Sequence, residues 1–131
     1  MAETTSAPVE KGTVCWNEVL TKNLDAARSF YTQLLGWTTE EMPMGEAGTY
    51  TMFLQGDKQV AGVMQMDGPQ FEHVPSHWLS YIAVDDIDDR TAAASNLGAQ
   101  VHVPPTDIPS VGRFSVIADP TGAVVALFQK A

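Results

Sequence analysis

The chain has 131 residues, a formal net charge of −9 and an apolar content of 44%. This length suffices for one domain with a hydrophobic core, and the excess of acidic residues argues against nucleic-acid binding, which depends on Lys and Arg. Cys15 is the only cysteine, so an intrachain disulfide is excluded and a cytoplasmic location is expected.

The first half of the chain predicts a tail, a strand, a helix and three further strands. Residues 1–12 are small and polar, without the apolar core of a signal peptide, and indicate a flexible N-terminal tail. Helical spacing predicts a helix with Asn23 as N-cap and Gly36 as its stop. Its apolar stripe would comprise Leu24, Ala27, Phe30, Tyr31, Leu34 and Leu35. The predicted elements are strand 14–21, helix 24–35, strand 37–42, loop 43–48, and strands 49–54 and 60–66.

The second half repeats this order after a linker at 67–76 that is rich in Pro and Gly. Asp85 and Asp86 are placed to begin a helix, and Gly98 to end it. The stripe of this helix would comprise Ile87, Ala93, Ala94 and Leu97. The predicted elements are strand 77–84, helix 86–97, strand 99–103, loop 104–111, and a hairpin of strands 114–118 and 124–128 around the turn 119–122.

An internal echo supports this repetition. Residues 48–65 align without a gap on residues 112–129, with matching apolar pattern and turn position. The identities are few: Gly48/Gly112, Val60/Val124 and Gln65/Gln129. The sequence therefore predicts an α+β protein of two βαβββ modules, at about 13–66 and 77–130, and no apolar run is long enough to span a membrane.

Two stretches carry a resemblance to a known family. The helix phrase from Asn23 to Trp37, which ends in Phe-Tyr and then Leu-Gly-Trp, and Asp119-Pro120-Thr121-Gly122 in the last hairpin resemble the vicinal oxygen chelate superfamily of glyoxalase and bleomycin-resistance proteins. The resemblance implies one domain over 13–131 whose modules form a cupped, mostly antiparallel sheet. It also implies a homodimer and a divalent metal in the cup, held by the first and last strands of each module.

The metal does not carry over with the fold. The four positions implied by the resemblance hold residues without a suitable nitrogen or oxygen ligand: Trp16, Gly62, Leu79 and Ala126. We therefore expect neither a metal nor another cofactor.

Strand alternation extends those positions into a candidate ligand site. If position 16 faces the cup, Glu18 does so as well, and Gly62 and Ala126 would leave room for a ligand. The predicted lining is apolar and aromatic with one carboxylate: Trp16, Glu18, Met64, Leu79, Tyr81 and Phe128. The same alternation is also typical of residues that simply form a core.

Each polar candidate has a functional and a structural interpretation. Glu18 could bind a cationic or hydroxyl-bearing ligand or act as a catalytic base. It could instead be held in a salt bridge to an arginine or lie at an exposed strand end. Arg113 could pair with Glu18, hold an anionic ligand group or be a solvated charge at a strand end. Tyr81 could orient a ligand through its hydroxyl or be a core tyrosine.

Other reactive residues indicate no site. His73 and His77 are separated by Pro75, which disfavours a helix presenting both to one metal, and His102 lies on another strand. Cys15 has the opposite parity from Trp16, and no base is indicated beside it. Asp85, Asp86, Asp88 and Asp89 lack the glycine and terminal glutamate of a calcium loop.

Three functions follow. The leading hypothesis is a metal-free protein that binds a small apolar or aromatic, possibly cationic, ligand. The alternative is a glyoxalase-like lyase, isomerase or hydroxylase that uses Glu18 or an unforeseen divalent metal. A third is a structural or sensory domain whose cup receives another chain's side chain.

Overall fold

The computed structural model describes residues 10–45 and 48–131. Residues 1–9 of the expected tail, and residues 46 and 47 of the expected loop, lie outside the described residues. The elements in chain order are β1 (Val14–Thr21), α1 (Leu24–Leu35), β2 (Thr38–Pro43), β3 (Thr49–Gln55), β4 (Lys58–Gln65), a 3-10 turn (Pro69–Phe71), β5 (His77–Ala83), α2 (Ile87–Asn96), β6 (Gln100–Ile108), β7 (Gly112–Ala118) and β8 (Val124–Lys130).

The predicted α+β class and the order of elements are confirmed, with one large difference in length. β6 was expected to end at Val103 but continues to Ile108. Its pairing with β7 shifts register between Val101 and Val103 and again between Val103 and Thr106. Pro104 and Pro105 lie in the second irregularity, where residues that cannot donate a ladder hydrogen bond are tolerated.

The described chain forms two compact units. The first unit comprises residues 17–78, and the second comprises residues 10–16 together with 79–131. In each unit one pair of strands is parallel, β1 with β4 and β5 with β8. The pairs β2–β3, β3–β4, β6–β7 and β7–β8 are antiparallel. The mostly antiparallel pairing expected from the sequence is thus present within each unit. No helix in the described residues is long and apolar enough to cross a membrane.

The core of the first unit lies between α1 and one face of the strands, in the order β2-β3-β4-β1. Its buried members are Val19, Phe53, Ala61 and Val63, and α1 packs on them through Leu24, Ala27 and Tyr31. The prediction that the whole stripe packs on the core is wrong. Three of its members remain largely exposed: Phe30 (56%), Leu34 (62%) and Leu35 (46%). The helix therefore presents a wider apolar surface than its own strands cover.

The second unit repeats this packing, with strands in the order β5-β8-β7-β6. Ile87 of α2 is fully buried against Ile117 and Leu127. A buried hydrogen bond of 2.9 Å joins the hydroxyls of Thr91 on α2 and Ser115 on β7. Leu97, predicted in the apolar stripe, is instead 79% exposed, because α2 ends at Asn96 before the chain turns.

Both helices begin at the predicted caps. The Asn23 side chain accepts a hydrogen bond from the Ala26 amide at 3.0 Å, and the Asp86 side chain accepts one from the Asp89 amide at 3.1 Å. Gly36 ends α1 in the left-handed region with φ of 73°, which glycine adopts without steric cost.

A glutamine on the last strand of each unit provides a second cap. Gln65 Oε1 accepts a hydrogen bond from the Leu24 amide at 2.8 Å, and Gln129 Oε1 accepts one from the Ile87 amide at 2.9 Å. These amides belong to the first helical turn, which has no intrahelical acceptor for them. The Gln65/Gln129 identity of the repeat therefore has a physical reason: each side chain joins the last strand of its unit to the start of the helix.

We predict that Gln129→Ala lowers the free energy of unfolding by about 1 kcal/mol, because it leaves the partly buried Ile87 amide without this acceptor. Gln129→Glu keeps an oxygen acceptor for the Ile87 amide. In about 1 M salt, which screens repulsion from Asp86, Asp88 and Asp89, it should therefore retain most of the stability. Urea unfolding followed by circular dichroism measures both, with Gln100→Ala at an exposed strand position as the control. Equal losses for Gln129→Ala and Gln129→Glu would contradict the capping role.

Candidate functional site

Strand alternation gives each unit a second sheet surface. In the first unit Val19, Phe53 and Val63 pack toward α1, so their neighbours along the strands point the other way. We call this surface, opposite α1, the α1-distal face. Its members include Glu18, Leu20, Tyr50, Met52, Gly62 and Met64.

Glu18 is the buried acid of the α1-distal face. It is only 3% exposed and is paired in register with Gly62, which is in turn paired with Met52. The Tyr50 hydroxyl donates a hydrogen bond to Glu18 Oε2 over 2.7 Å. A carboxylate buried among apolar neighbours requires such a partner, since an uncompensated charge there is costly.

Tyr50 also occupies the space that was expected to be empty at Gly62. A Cβ atom built on Gly62 would lie 1.7 Å from the Tyr50 hydroxyl oxygen and 2.5 Å from Cζ. The expectation that Gly62 leaves room for a ligand is therefore wrong in this structure, because a neighbouring side chain fills that room. Met64, on the same face, is 42% exposed and presents a soft apolar surface.

In the second unit the corresponding surface, opposite α2, is the α2-distal face. Tyr81, Ala126 and Val116 form a row across β5, β8 and β7. Leu79 and Ala126 are buried, at 4% and 0% exposure, so the expected room at Ala126 is also enclosed. By alternation this face includes Leu79, Tyr81, Val116, Ala126 and Phe128.

The aromatic residues of the α2-distal face are half-buried. Tyr81 and Phe128 have intermediate exposure. The Phe128 ring lies close above Gly112, where a Cβ atom would approach its Cζ to 2.7 Å. Three of the predicted site residues, Leu79, Tyr81 and Phe128, therefore share one surface of the second unit.

Trp16 and Cys15 lie on the part of β1 that belongs to the second unit. This segment runs beside β5, where Thr13 and Ala83 are joined by a backbone hydrogen bond of 2.9 Å. Trp16 is half-buried. The Cys15 thiol lies 3.5 Å from the Tyr81 carbonyl oxygen, and burial raises the pKa of this thiol, which keeps it protonated.

Arg113 does not share the surface of Tyr81 and Phe128. Its neighbour in alternation, Ser115, bonds to α2, so Arg113 also points to the helix side. Its guanidinium donates to both Asp88 carboxylate oxygens, at 2.9 and 3.1 Å, and to Asp107 Oδ1 at 2.9 Å. We therefore correct the predicted ligand-binding role of Arg113: it joins α2 to β7 and β6.

These ion pairs shift the pKa values of Asp88 and Arg113 in opposite directions. The hydrogen bonds from Arg113 hold the pKa of the Asp88 carboxyl below its usual range. Hydrogen bonds to Asp88 and Asp107 raise the pKa of Arg113. Both shifts favour the charged forms of Asp88 and Arg113, as an ion pair requires.

Tyr50 is the residue of this region that the sequence analysis did not select. The signal lay in the hairpin, because pairing of β3 with β4 places Met52 opposite Gly62 and hence Tyr50 on the same face, two residues away. Only the register of the hairpin reveals that a long side chain from β3 can cross β4 at a glycine.

Comparison with known proteins identifies a matching family and several similar proteins. Residues 14–127 match the model of the Glyoxalase/Bleomycin resistance protein/Dioxygenase superfamily. CFP32 of Mycobacterium tuberculosis, provisionally named a glyoxylase, is 43% identical over 122 residues, covering 93% of this chain and 46% of that protein. The anthracycline biosynthesis protein DnrV of Streptomyces peucetius is 35% identical over 130 residues, covering 91% and 47%. The chain thus spans about half the length of the curated relatives it matches.

A solved structure extends the similarity to the fold. The methylmalonyl-CoA epimerase from Mycobacterium tuberculosis is similar with a TM-score of 0.62 at 14% identity, covering 100% of this chain and 96% of that one. At this identity the likeness concerns the fold alone.

The residues at the implied metal positions do not fit a divalent metal. Trp16, Gly62, Leu79 and Ala126 carry no side-chain group that binds such an ion, and Tyr50 covers Gly62. Within residues 10–45 and 48–131, no three His, Cys, Asp or Glu side chains are grouped so that they could hold a metal ion.

We predict that Arg113→Gln lowers the urea midpoint slightly at neutral pH and low salt. The loss should disappear near 1 M salt, where the Debye length falls to about 3 Å. Because the folded-state pKa of Asp88 is lowered, its contribution to stability is present above the unfolded-state pKa and is lost as pH falls through the folded-state value. The difference from wild type should therefore shrink below about pH 4. A difference independent of both salt and pH would contradict the ion-pair role.

Proposed function

The chain belongs to the Glyoxalase/Bleomycin resistance protein/Dioxygenase superfamily, and from this membership we propose that it binds a small aromatic ligand with a polar or cationic group, without a metal. The observation that carries the proposal is the buried Glu18 on the α1-distal face, 3% exposed and hydrogen-bonded by Tyr50. An acid in an apolar surface is a specific recognition group for a cation or a hydroxyl.

The apolar part of the ligand is assigned to aromatic and aliphatic side chains. Half-buried rings combine a large apolar surface with an accessible edge, which suits aromatic ligands. In the first unit the contact proposed beside Glu18 is Met64. Trp16, Leu79, Tyr81 and Phe128 stay the ligand contacts predicted from the sequence. A net charge of −9 favours the approach of a cationic molecule.

One relative suggests a chemical class for the ligand. DnrV is named an anthracycline biosynthesis protein. Anthracyclines are planar, fused aromatic compounds, and those that carry an amino sugar are cationic at neutral pH. This combination matches the aromatic and acidic groups assigned above, so an anthracycline is a suitable first probe.

An enzymatic function is the second candidate, favoured by the provisional glyoxylase name of CFP32. In this alternative the chain is a glyoxalase-like lyase, isomerase or hydroxylase in which Glu18 transfers a proton, or in which a divalent metal binds outside the implied positions. Metal analysis of the purified protein tests the metal-dependent form of this alternative. One divalent ion per chain that is required for turnover would favour the enzyme over metal-free binding.

The assembly and location of the protein complete the proposal. We propose a homodimer in the cytoplasm, supported by the family resemblance, the single cysteine and large exposed apolar side chains on α1, such as Phe30 and Leu34. Light scattering after size exclusion should give twice the chain mass of 14.1 kDa. A monomer at every concentration would contradict the dimer.

We predict that doxorubicin, an anthracycline with an amino sugar, binds the protein and that Glu18→Gln weakens binding about tenfold or more. Loss of a hydrogen bond to a charged group costs about 1.5–3 kcal/mol, and about 1.4 kcal/mol corresponds to a factor of ten. Isothermal titration calorimetry measures the affinities. Glu41→Gln removes the same charge at an exposed position and should leave the affinity unchanged.

The neutral aglycone of doxorubicin separates the two parts of the ligand. Its affinity should be insensitive to Glu18→Gln, because it lacks the cationic group. Equal affinities of wild type and Glu18→Gln for doxorubicin would refute the assigned role of Glu18, and absence of binding by either compound would remove the support for this ligand class.

A further inference from the structure

We propose that Tyr50 is a positioning residue, which orients the Glu18 carboxylate for recognition of the ligand's polar group and occupies the space that a metal-binding side chain at position 62 would need. The inference rests on the proposed function for its ligand, although the coupling of Tyr50 to Glu18 is measurable without one. It concerns three adjacent strands of the first unit: β3, β4 and β1.

The first support is the hydrogen bond itself. Tyr50 donates its hydroxyl proton to Glu18 Oε2 over 2.7 Å. This is an ordinary length for a hydroxyl hydrogen bond, and such a bond is stronger when its acceptor is an ionised carboxylate. A donor of this kind favours the charged form of the acid and fixes the direction of one of its oxygens.

The second support is that the ring must cross a strand to make this bond. Tyr50 lies on β3 and Glu18 on β1, with β4 between them. The crossing point is Gly62, whose missing side chain leaves the path open: a Cβ atom there would lie 2.5 Å from Tyr50 Cζ. A glycine at this position is therefore a requirement of the Tyr50–Glu18 contact.

The third support is that the pair lies outside the helix-packed core. The buried apolar cluster that binds α1 is on the other face of the strands. On the α1-distal face the neighbours of Glu18 include the apolar Leu20, Met52 and Met64. Replacing a buried ion pair by apolar side chains is often neutral or stabilising, so a part in recognising a polar group would give a reason for keeping polar side chains here.

The titratable side chains of the first unit that bear on Glu18 include Tyr50, Glu40 and Lys22. Tyr50 contacts it directly. Glu40 lies on β2 and is paired with Met52, so it belongs to the same face as Glu18. It is exposed, and β3 and β4 lie between its strand and β1. Lys22 follows β1 and directs its ammonium group to the Phe71 carbonyl oxygen at 2.5 Å.

The test is a carboxyl ¹³C NMR titration of the full chain labelled at glutamate, with Glu18→Gln to assign the Glu18 signal. Tyr50→Phe keeps the ring and removes only the donor, and it should raise the pH midpoint of the Glu18 signal by about one unit. Gly62→Ala should raise it similarly, because the methyl group displaces the ring. Tyr31→Phe, on the opposite side of the strands, should leave the midpoint unchanged.

The same variants are then titrated with doxorubicin from about pH 4 to about pH 8, a range chosen to include the pKa of a carboxyl group that is raised in a protein. For Tyr50→Phe the pH below which binding is lost should rise together with the NMR midpoint. An unchanged NMR midpoint in Tyr50→Phe would overturn the positioning role. A shifted midpoint with an unshifted binding profile would overturn its part in recognition. A shifted midpoint in a protein that does not bind doxorubicin would refute the ligand assignment while the Tyr50–Glu18 coupling stands.

Discussion

Side chains alternate along each strand, so that one face of the strands packs against the helix and the other face carries the remaining side chains. One face of the strands must carry apolar residues, such as Phe53 and Val63, to hold the helix, and this leaves chemistry to the other face. Glu18 and Val19 are adjacent and both buried, yet they serve opposite surfaces. The same rule places Arg113 and Phe128 on opposite faces of the second unit. Arg113 is paired across the strands with Gln129, the neighbour of Phe128 along β8.

The two units share their framework and differ in the chemistry of their distal faces. Gln65 and Gln129 bind the first helical turn in the same way, so the element that fixes each helix on its sheet is repeated. On the distal faces the repeat offset places Phe114 at the position equivalent to Tyr50. The hydroxyl that holds Glu18 in the first unit therefore has no equivalent there. The acidic group belongs to one unit, and the aromatic surface of Tyr81 and Phe128 to the other.

Local rules account for what the sequence predicted well, and contacts between strands account for what it did not. The bounds of α1 were predicted because Asn23 and Gly36 act within a few residues of the helix ends. The extension of β6 was missed because two consecutive prolines, Pro104 and Pro105, are typical of a loop. In the structure they lie at an irregularity of the strand pairing, where proline is tolerated. Tyr50 was missed because its contact with Glu18 depends on hairpin register and on a glycine one strand away, which no single segment of sequence displays.

In our proposal, the Tyr50–Glu18 pair takes the place of a metal-ligand position in the first unit and recognises an organic ligand. A high-resolution crystal structure of the protein grown with doxorubicin, with anomalous data collected to detect metals, tests it most directly. We expect Tyr50 over Gly62, its hydroxyl on Glu18, and ligand density whose polar group contacts this carboxylate, with no metal bound beside it. An anomalous peak at Glu18, with the ion coordinated by the carboxylate and Tyr50 displaced from Gly62, would refute metal-free recognition by this pair.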